Sequence, residues 1–280
     1  MKHILFPADF SSNSTSALVY ALKFANAIHA EITIFHAFNE SEPPLHTLSL
    51  TRLQNQKRLS DEIEFTIKES LFEVIHHVSN DTFTNKSIHY KAGVGHPTAE
   101  ILKQIAKGKY DCVMMGNRGA RINVDNALGS VSATLILKSK IPVLIIPKDA
   151  TFTLIKHMIL IDDLGLLTSN AIAFLKIYEK HFHPKFCLIH MATDKKSMEA
   201  FRMKNYHDTI LKLNTFNNIE LKLLQNKNVV DGVNHFVNEN ATDIIFVLNH
   251  KGILIDTAFG KTMGRDLTFQ TKIPVFTLNI

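Results

Sequence analysis

The chain repeats itself, and this constrains its fold more than any other feature. Lys2 to Asp9 aligns with Lys156 to Asp163, and Ile34-Phe35-His36 aligns with Leu188-Ile189-His190, both at an offset of 154 residues. Further on, Asp111 to Met115 aligns with Asp243 to Val247, and Ile141-Pro142-Val143 with Ile273-Pro274-Val275, at an offset of 132. The second copy is therefore shorter by 22 residues between these blocks. The stretch around Asn39 to Ser60, which carries Pro43-Pro44, is the economical place for that loss. Fixed-offset similarity across a chain of 280 residues predicts two units of one architecture, 1–148 and 152–280, with a boundary at Pro147 to Thr151.

Within each unit short apolar runs alternate with amphipathic stretches. In the first, His3 to Pro7, Glu31 to Ala37, Lys86 to Lys91, Asp111 to Met115 and Val143 to Ile146 are too short for helices and suit strands buried on both faces. Between them Ser14 to His29, Leu50 to Val78, Pro97 to Lys107 and Gly129 to Ser139 carry helical spacing, with Pro97 suited to a first helical position and Glu100 to the first turn. Five strands separated by helices predict a parallel sheet with right-handed crossovers and helices on both faces.

Composition excludes several classes. With 45% hydrophobic and 20% charged residues the chain is expected to fold as an ordinary globular protein. Its net charge of +5 is scattered over 31 Lys and Arg, with no basic stripe interleaved with aromatics, so no nucleic acid partner is expected. No apolar run reaches the roughly 18 residues of a membrane span, and Met1 to Asp9 does not read as a signal peptide. Cys112 and Cys187 sit in apolar runs as small buried hydrophobes, which points to a reducing compartment and a cytoplasmic location.

In an open parallel sheet a ligand sits beyond the carboxyl ends of the strands, where the winding reverses. Asp9 ends the first strand. The fourth runs into Met115-Gly116-Asn117-Arg118-Gly119, and Gly129-Ser130-Val131-Ser132 opens the last helix, giving the spacing Gly-x2-Gly-x9-Gly-Ser. Gly116 and Gly119 let a backbone approach an anion and can take positive φ, Gly129 and Ser130 offer N–H groups, a hydroxyl and a helix N-terminus, and Arg118 adds charge. Asp9 would repel phosphate and belongs at the other end of such a ligand. The alternative is that the glycines turn the chain, Ser130 caps a helix, and Asp9 caps the first helix beside Ser11 and Ser12.

Asp9 after Pro7, the spaced glycine loop with its Ser, and the closing Ile141 to Pro147 resemble the universal stress protein family, ATP-binding class. The resemblance covers both copies and implies Rossmann-like, five-stranded open sheets of strand order 3-2-1-4-5. It implies ATP, with Mg²⁺ as an optional companion, bound at Pro7, Asp9 and the backbone of Ala37 on the adenosine side. Met115, Gly116, Arg118, Gly119, Gly129, Ser130 and Val131 would take the ribose and phosphates.

The second copy departs at every glycine: Leu248, Lys251, Lys261 and Thr262 stand where Gly116, Gly119, Gly129 and Ser130 would be, although Asp163 matches Asp9. Gly260-Lys261-Thr262 is not a P-loop, because Ile255 occupies the position of its first glycine. One nucleotide per chain is expected. No metal is expected, since His76, His77, His181, His183, His36 and His190 lack Cys or carboxylate neighbours at ligand spacing.

The function these observations imply is a nucleotide-responsive stress module acting on an unnamed protein partner. The alternatives are a ligand-free interaction scaffold and a slow Mg²⁺-dependent ATPase, for which no catalytic residues are identifiable. The last strands, Val143 to Ile146 and Val275 to Leu278, are expected to pair edge to edge, within one chain as a pseudo-twofold dimer or between two chains as a homodimer.

Overall fold

A computed structural model describes residues 1–38, 52–79, 87–117, 129–162, 169–192, 196, 214, 216–226, 229–249 and 272–279. Ten strands and six helices alternate along them. The first half runs β1 (His3–Pro7), α1 (Ser12–Ala27), β2 (Glu31–Phe38), α2 (Arg52–Ser79), β3 (Ile88–Val94), α3 (Pro97–Ala106), β4 (Cys112–Gly116), α4 (Ser130–Lys138) and β5 (Val143–Ile146). The second runs β6 (His157–Asp162), α5 (Ser169–Phe182), β7 (Lys185–Ala192), β8 (Ile219–Gln225), α6 (Val229–Glu239), β9 (Ile244–Asn249) and β10 (Val275–Asn279). Among these residues no helix is long and apolar enough to cross a membrane.

The sheet order is β3-β2-β1-β4-β5-β10-β9-β6-β7-β8. Each half therefore has the order 3-2-1-4-5 expected from the sequence, with every pairing inside a half parallel. The two sheets meet edge to edge through their last strands, the within-chain arrangement that the sequence analysis expects: β5 and β10 pair antiparallel, Leu144 opposite Phe276, and join the two into a single sheet of ten strands. An apolar strand edge with unmet N–H and C=O groups is covered by its counterpart.

The halves match in register as well as in order. Ile4 pairs with Cys112 as Met158 pairs with Ile244. Asp111 Oδ2 accepts from the N–H groups of Lys2 and His3 at 2.6 and 2.9 Å, and Asp243 Oδ2 accepts from Lys156 and His157 at 2.7 and 2.8 Å. The 154-residue offset still holds at β2 and β7. It has fallen to 131 at β3 and β8, where Ile88 faces Ile32 and Ile219 faces Phe186. The shortening thus lies between these strands, as the sequence suggests.

Strict alternation along the strands builds three apolar clusters. Ile4, Phe6, Cys112, Met114, Leu144, Met158, Leu160, Phe246 and Phe276 face one side, where α1, α2 and α5 cover them as one cluster running across both halves. Leu5, Val113, Met115, Val143 and Ile145 face the other side, under α3 and α4. Ile159, Ile161, Ile189, Ile245 and Val275 form a separate cluster there, with Val233 and Phe236 of α6. On the shared side Phe152, from the connecting segment, packs edge-on to Tyr20 of α1 at 5.3 Å and lies 6.4 Å from Phe182 of α5. Aromatic pairs of this kind add about 0.5–1.5 kcal/mol beyond area burial.

Candidate nucleotide crevice

The crevice lies where β1 and β4, adjacent in the sheet, lead their chains away in opposite directions, β1 toward β2 and β4 toward β5. On the β1 side the chain leaves Pro7 through an ordered turn. Ala8 N–H donates to Phe35 O at 2.8 Å. Asp9 Oδ1 accepts from both Ser11 N–H at 3.1 Å and Ser11 Oγ at 2.7 Å. Ser11 is the N-cap of α1, its Oγ accepting from Ser14 N–H at 3.1 Å. Asp9 is thus not the cap itself; it orients the capping serine and remains exposed. Ala37 lies on β2, two residues past the position paired with Pro7.

Phe10 closes this corner in a left-handed conformation, φ 60°, which a bulky residue adopts only when its surroundings fix it. Its ring lies 4.8 Å from that of His36. His36 Nδ1 is 2.7 Å from Ala8 O, and since a carbonyl only accepts, this nitrogen carries the proton. Nothing in the spacing of the sequence reveals this ring partner of His36.

On the β4 side Gly116 and Gly129 have tertiary roles that the sequence does not show. Gly116 does not take a positive φ; among the described glycines only Gly95 and Gly108 do. What forbids a side chain at Gly116 is α1: a Cβ there would lie 2.8 Å from Asn13 Nδ2. Asn13 Nδ2 in turn donates to Asn117 Oδ1 at 3.0 Å, linking the start of α1 to the end of β4. Gly129 is the N-cap of α4 with an ordinary φ of −67°, and its N–H is spent on Asn117 O at 2.8 Å. The N–H groups available to a ligand are consequently those of Ser130 to Ser132, one residue later than the sequence alone suggests.

Ser132 Oγ donates to Gly116 O at 3.1 Å and clamps the first turn of α4 onto β4. Ser130 is the first helical residue rather than the cap, and no side chain caps this helix. Ser130 is exposed and, among the described residues, its hydroxyl has no intramolecular partner. Val131 packs against the α3/α4 cluster, and Met115 is buried in it. Met115, Gly116, Gly129, Ser130 and Val131 thus gather at one point. Pro7, Asp9 and Ala37 line the neighbouring strand ends. Arg118 and Gly119 lie outside the described residues, as do Asp163, Lys251, Lys261 and Thr262 of the second half.

Asn13, Asn117 and Ser132 are the site residues missed by the sequence analysis. The repeat held the signal: Asn13 and Gly116 correspond to Leu167 and Leu248, so the polar and the small residue are exchanged together.

Comparison with known proteins gives the family and the fold. The model of the Universal stress protein family matches residues 1–147. Universal stress protein MJ0577 of Methanocaldococcus jannaschii is 27% identical over 154 residues, 52% of this chain and 95% of that protein. Among solved structures, a universal stress protein from Archaeoglobus fulgidus aligns with a TM-score of 0.68 at 20% identity, over 99% of this chain and 98% of that one. A functionally unknown protein from Pseudomonas aeruginosa PAO1 aligns at 0.60 and 10% identity, over 100% of this chain and 92% of that one. The structural likenesses speak to the fold, and they extend over both halves.

Proposed function

Because the chain belongs to the universal stress protein family, we propose that it is a nucleotide-responsive stress module whose first half binds one adenine nucleotide. In this reading the chain is a tandem pair of family units, 1–148 and 152–280. It works in the cytoplasm and passes its ligand state to a protein partner.

The observation that supports it most directly is the start of α4. Its first-turn N–H groups have no helical acceptor, and the Ser132 to Gly116 bond holds them beside the end of β4. A helix N-terminus with an unengaged hydroxyl favours the phosphates of ATP by about 0.3–2 kcal/mol from the dipole alone, before hydrogen bonds are counted. Arg118, two residues after Gly116 in the sequence, would supply charge, and Mg²⁺ would accompany the phosphates. Asp9, Pro7 and the backbone of Ala37 take the nucleoside, with Asp9 accepting hydrogen bonds from ribose or base. That end is remote from the terminal phosphate, so Asp9 is not placed to activate an attacking water, and the reading is of binding without dedicated catalysis.

Calorimetric titration of the full chain with ATP and Mg²⁺ tests this. One site per chain is expected, abolished by Gly119→Lys with little change in stability. Two sites, or undiminished binding in that variant, would refute the assignment.

A further inference from the structure

At the other ends of the first three strands, away from the crevice, His3, Glu31 and His89 converge. They are 28 and 58 residues apart in sequence, which hides them from any reading of spacing. His3 and Glu31 are direct register partners on β1 and β2, and Thr33 of β2 faces His89 of β3. Since residues two apart share a face, all three side chains rise from one side of the sheet, that of Leu5 and α3. The Nε2 atoms of His3 and His89 each lie 3.0 Å from the same Glu31 Oε2, and all three ligand atoms lie within 4.8 Å of one another. The ring of Tyr110 stands edge-on to His3 at 5.8 Å.

We propose that His3, Glu31 and His89 form a binding site for a divalent transition-metal ion of the zinc class. Two imidazoles and one carboxylate suit Zn²⁺, Co²⁺ or Ni²⁺ and not Ca²⁺ or Mg²⁺, which demand oxygen shells. Bonds of about 2.0–2.2 Å at tetrahedral angles put neighbouring ligand atoms about 3.3 Å apart, close to both Nε2 to Oε2 separations here. The side chains are 33, 50 and 48% exposed, so an ion can enter and water can complete its shell. Bound metal would tie the edge strand β3 to β2 and β1.

The second half supplies the control. At the same register positions it carries His157, Lys185 and Glu220. Lys185 Nζ pairs with Glu220 at 3.7 Å, and His157 turns Nδ1 toward Asp243, also at 3.7 Å. The same backbone frame there holds ordinary ion pairs, so the convergence of donors in the first half comes from its side chains. His3 and His89 are not among the histidines that the sequence analysis weighs as ligands.

The test is calorimetric titration of the metal-stripped full chain with ZnCl₂, alongside Glu31→Lys, which installs the residue of the second half, His89→Ala, and His157→Ala as a control for scattered histidines. Wild type and His157→Ala should bind one more Zn²⁺ than Glu31→Lys and His89→Ala, and saturation should raise Tm in the first pair only. Co²⁺ should give the visible absorption of a four-coordinate site in wild type alone among wild type and the two site variants. Equal stoichiometry and equal Tm response in all four proteins would show a plain hydrogen-bonded His-Glu-His cluster and overturn the proposal. All three substitutions are at exposed or half-buried side chains, and circular dichroism of each confirms folding. Should one site variant fail to fold, Glu31→Gln gives the same comparison.

Discussion

The two halves of the sheet share strand order, register and even the aspartate that clamps each first strand to its fourth, yet they differ wherever an anion could be held. Near β4, Asn13 and Gly116 fit against one another beside the start of α4. The corresponding residues of the second half are both leucine. Architecture and ligand chemistry are therefore separable in this chain. Hydrophobic alternation and the strand-end clamps were kept in both halves, while the residues at the strand ends diverged. The same lesson holds at the amino ends, where Glu31 between two histidines became Lys185 beside Glu220.

The largest effect is expected at what the halves have in common. Leu144 is fully buried, paired with Phe276 at the seam, and belongs to the cluster that crosses both halves. Leu144→Lys should cost several kcal/mol, combining a lost apolar side chain of about 1.5–3 kcal/mol with a buried cation. Urea unfolding should show a much lower midpoint, and size-exclusion should show separated or aggregated halves. An unchanged midpoint would mean that the seam contributes little.

A smaller effect tests what distinguishes them. Gly116→Leu alone drives a side chain into Asn13 and should destabilise by about 1–3 kcal/mol. The double variant Gly116→Leu with Asn13→Leu copies the second half and should recover part of that loss while still failing to bind ATP. Additive losses in a double-mutant cycle would show that the pair did not change together for packing reasons.

Smaller again are the ligand contacts. Ser130→Ala should weaken ATP about tenfold and leave adenosine unaffected, since a hydrogen bond to a charged group is worth about 1.5–3 kcal/mol. Asp9→Ala should weaken both ligands alike. Parallel titrations decide this, and equal effects of both changes on both ligands would contradict the polarity assigned to the crevice.

The least effect concerns Cys187, whose counterpart in the first half is Thr33. Burial, reinforced by Glu220, pushes its thiol up to about 12. Because the folded value lies above the unfolded one, the stability it contributes is present below about pH 9 and is lost as pH rises toward 12. Cys187→Thr should flatten the decline of stability over that interval, measured by denaturant titration at each pH.

Much of this was legible in the sequence because it depends on period and repetition. Strand β1 and strand β5 begin and end where the apolar runs do, and Pro97 opens α3 with Glu100 in its first turn, as expected. The described ends of the glycine loop, Gly116 and Gly129, do come together where β4 meets α4. What could not be read was the reason for each glycine. Gly116 is small because of a helix that packs across it, and Gly129 uses up its own N–H, both consequences of tertiary contacts. His3, Glu31 and His89 escaped for the same reason, since only strand pairing brings them together.

The antiparallel seam between β5 and β10 sets the polarity of the whole molecule. Strands of the first half all point one way and those of the second the other, so their carboxyl ends emerge on opposite rims of the sheet. One rim carries the candidate crevice of the first half beside the amino ends of the second, where a cavity of about 180 Å³ opens between Lys185, Glu220 and Phe236. The other rim carries the His3, Glu31 and His89 cluster beside the carboxyl ends of β6 and β9, the positions equivalent to the crevice. A single partner lying flat against either rim meets one receptive half and one divergent half, and so can approach this nearly symmetric chain in two distinguishable ways.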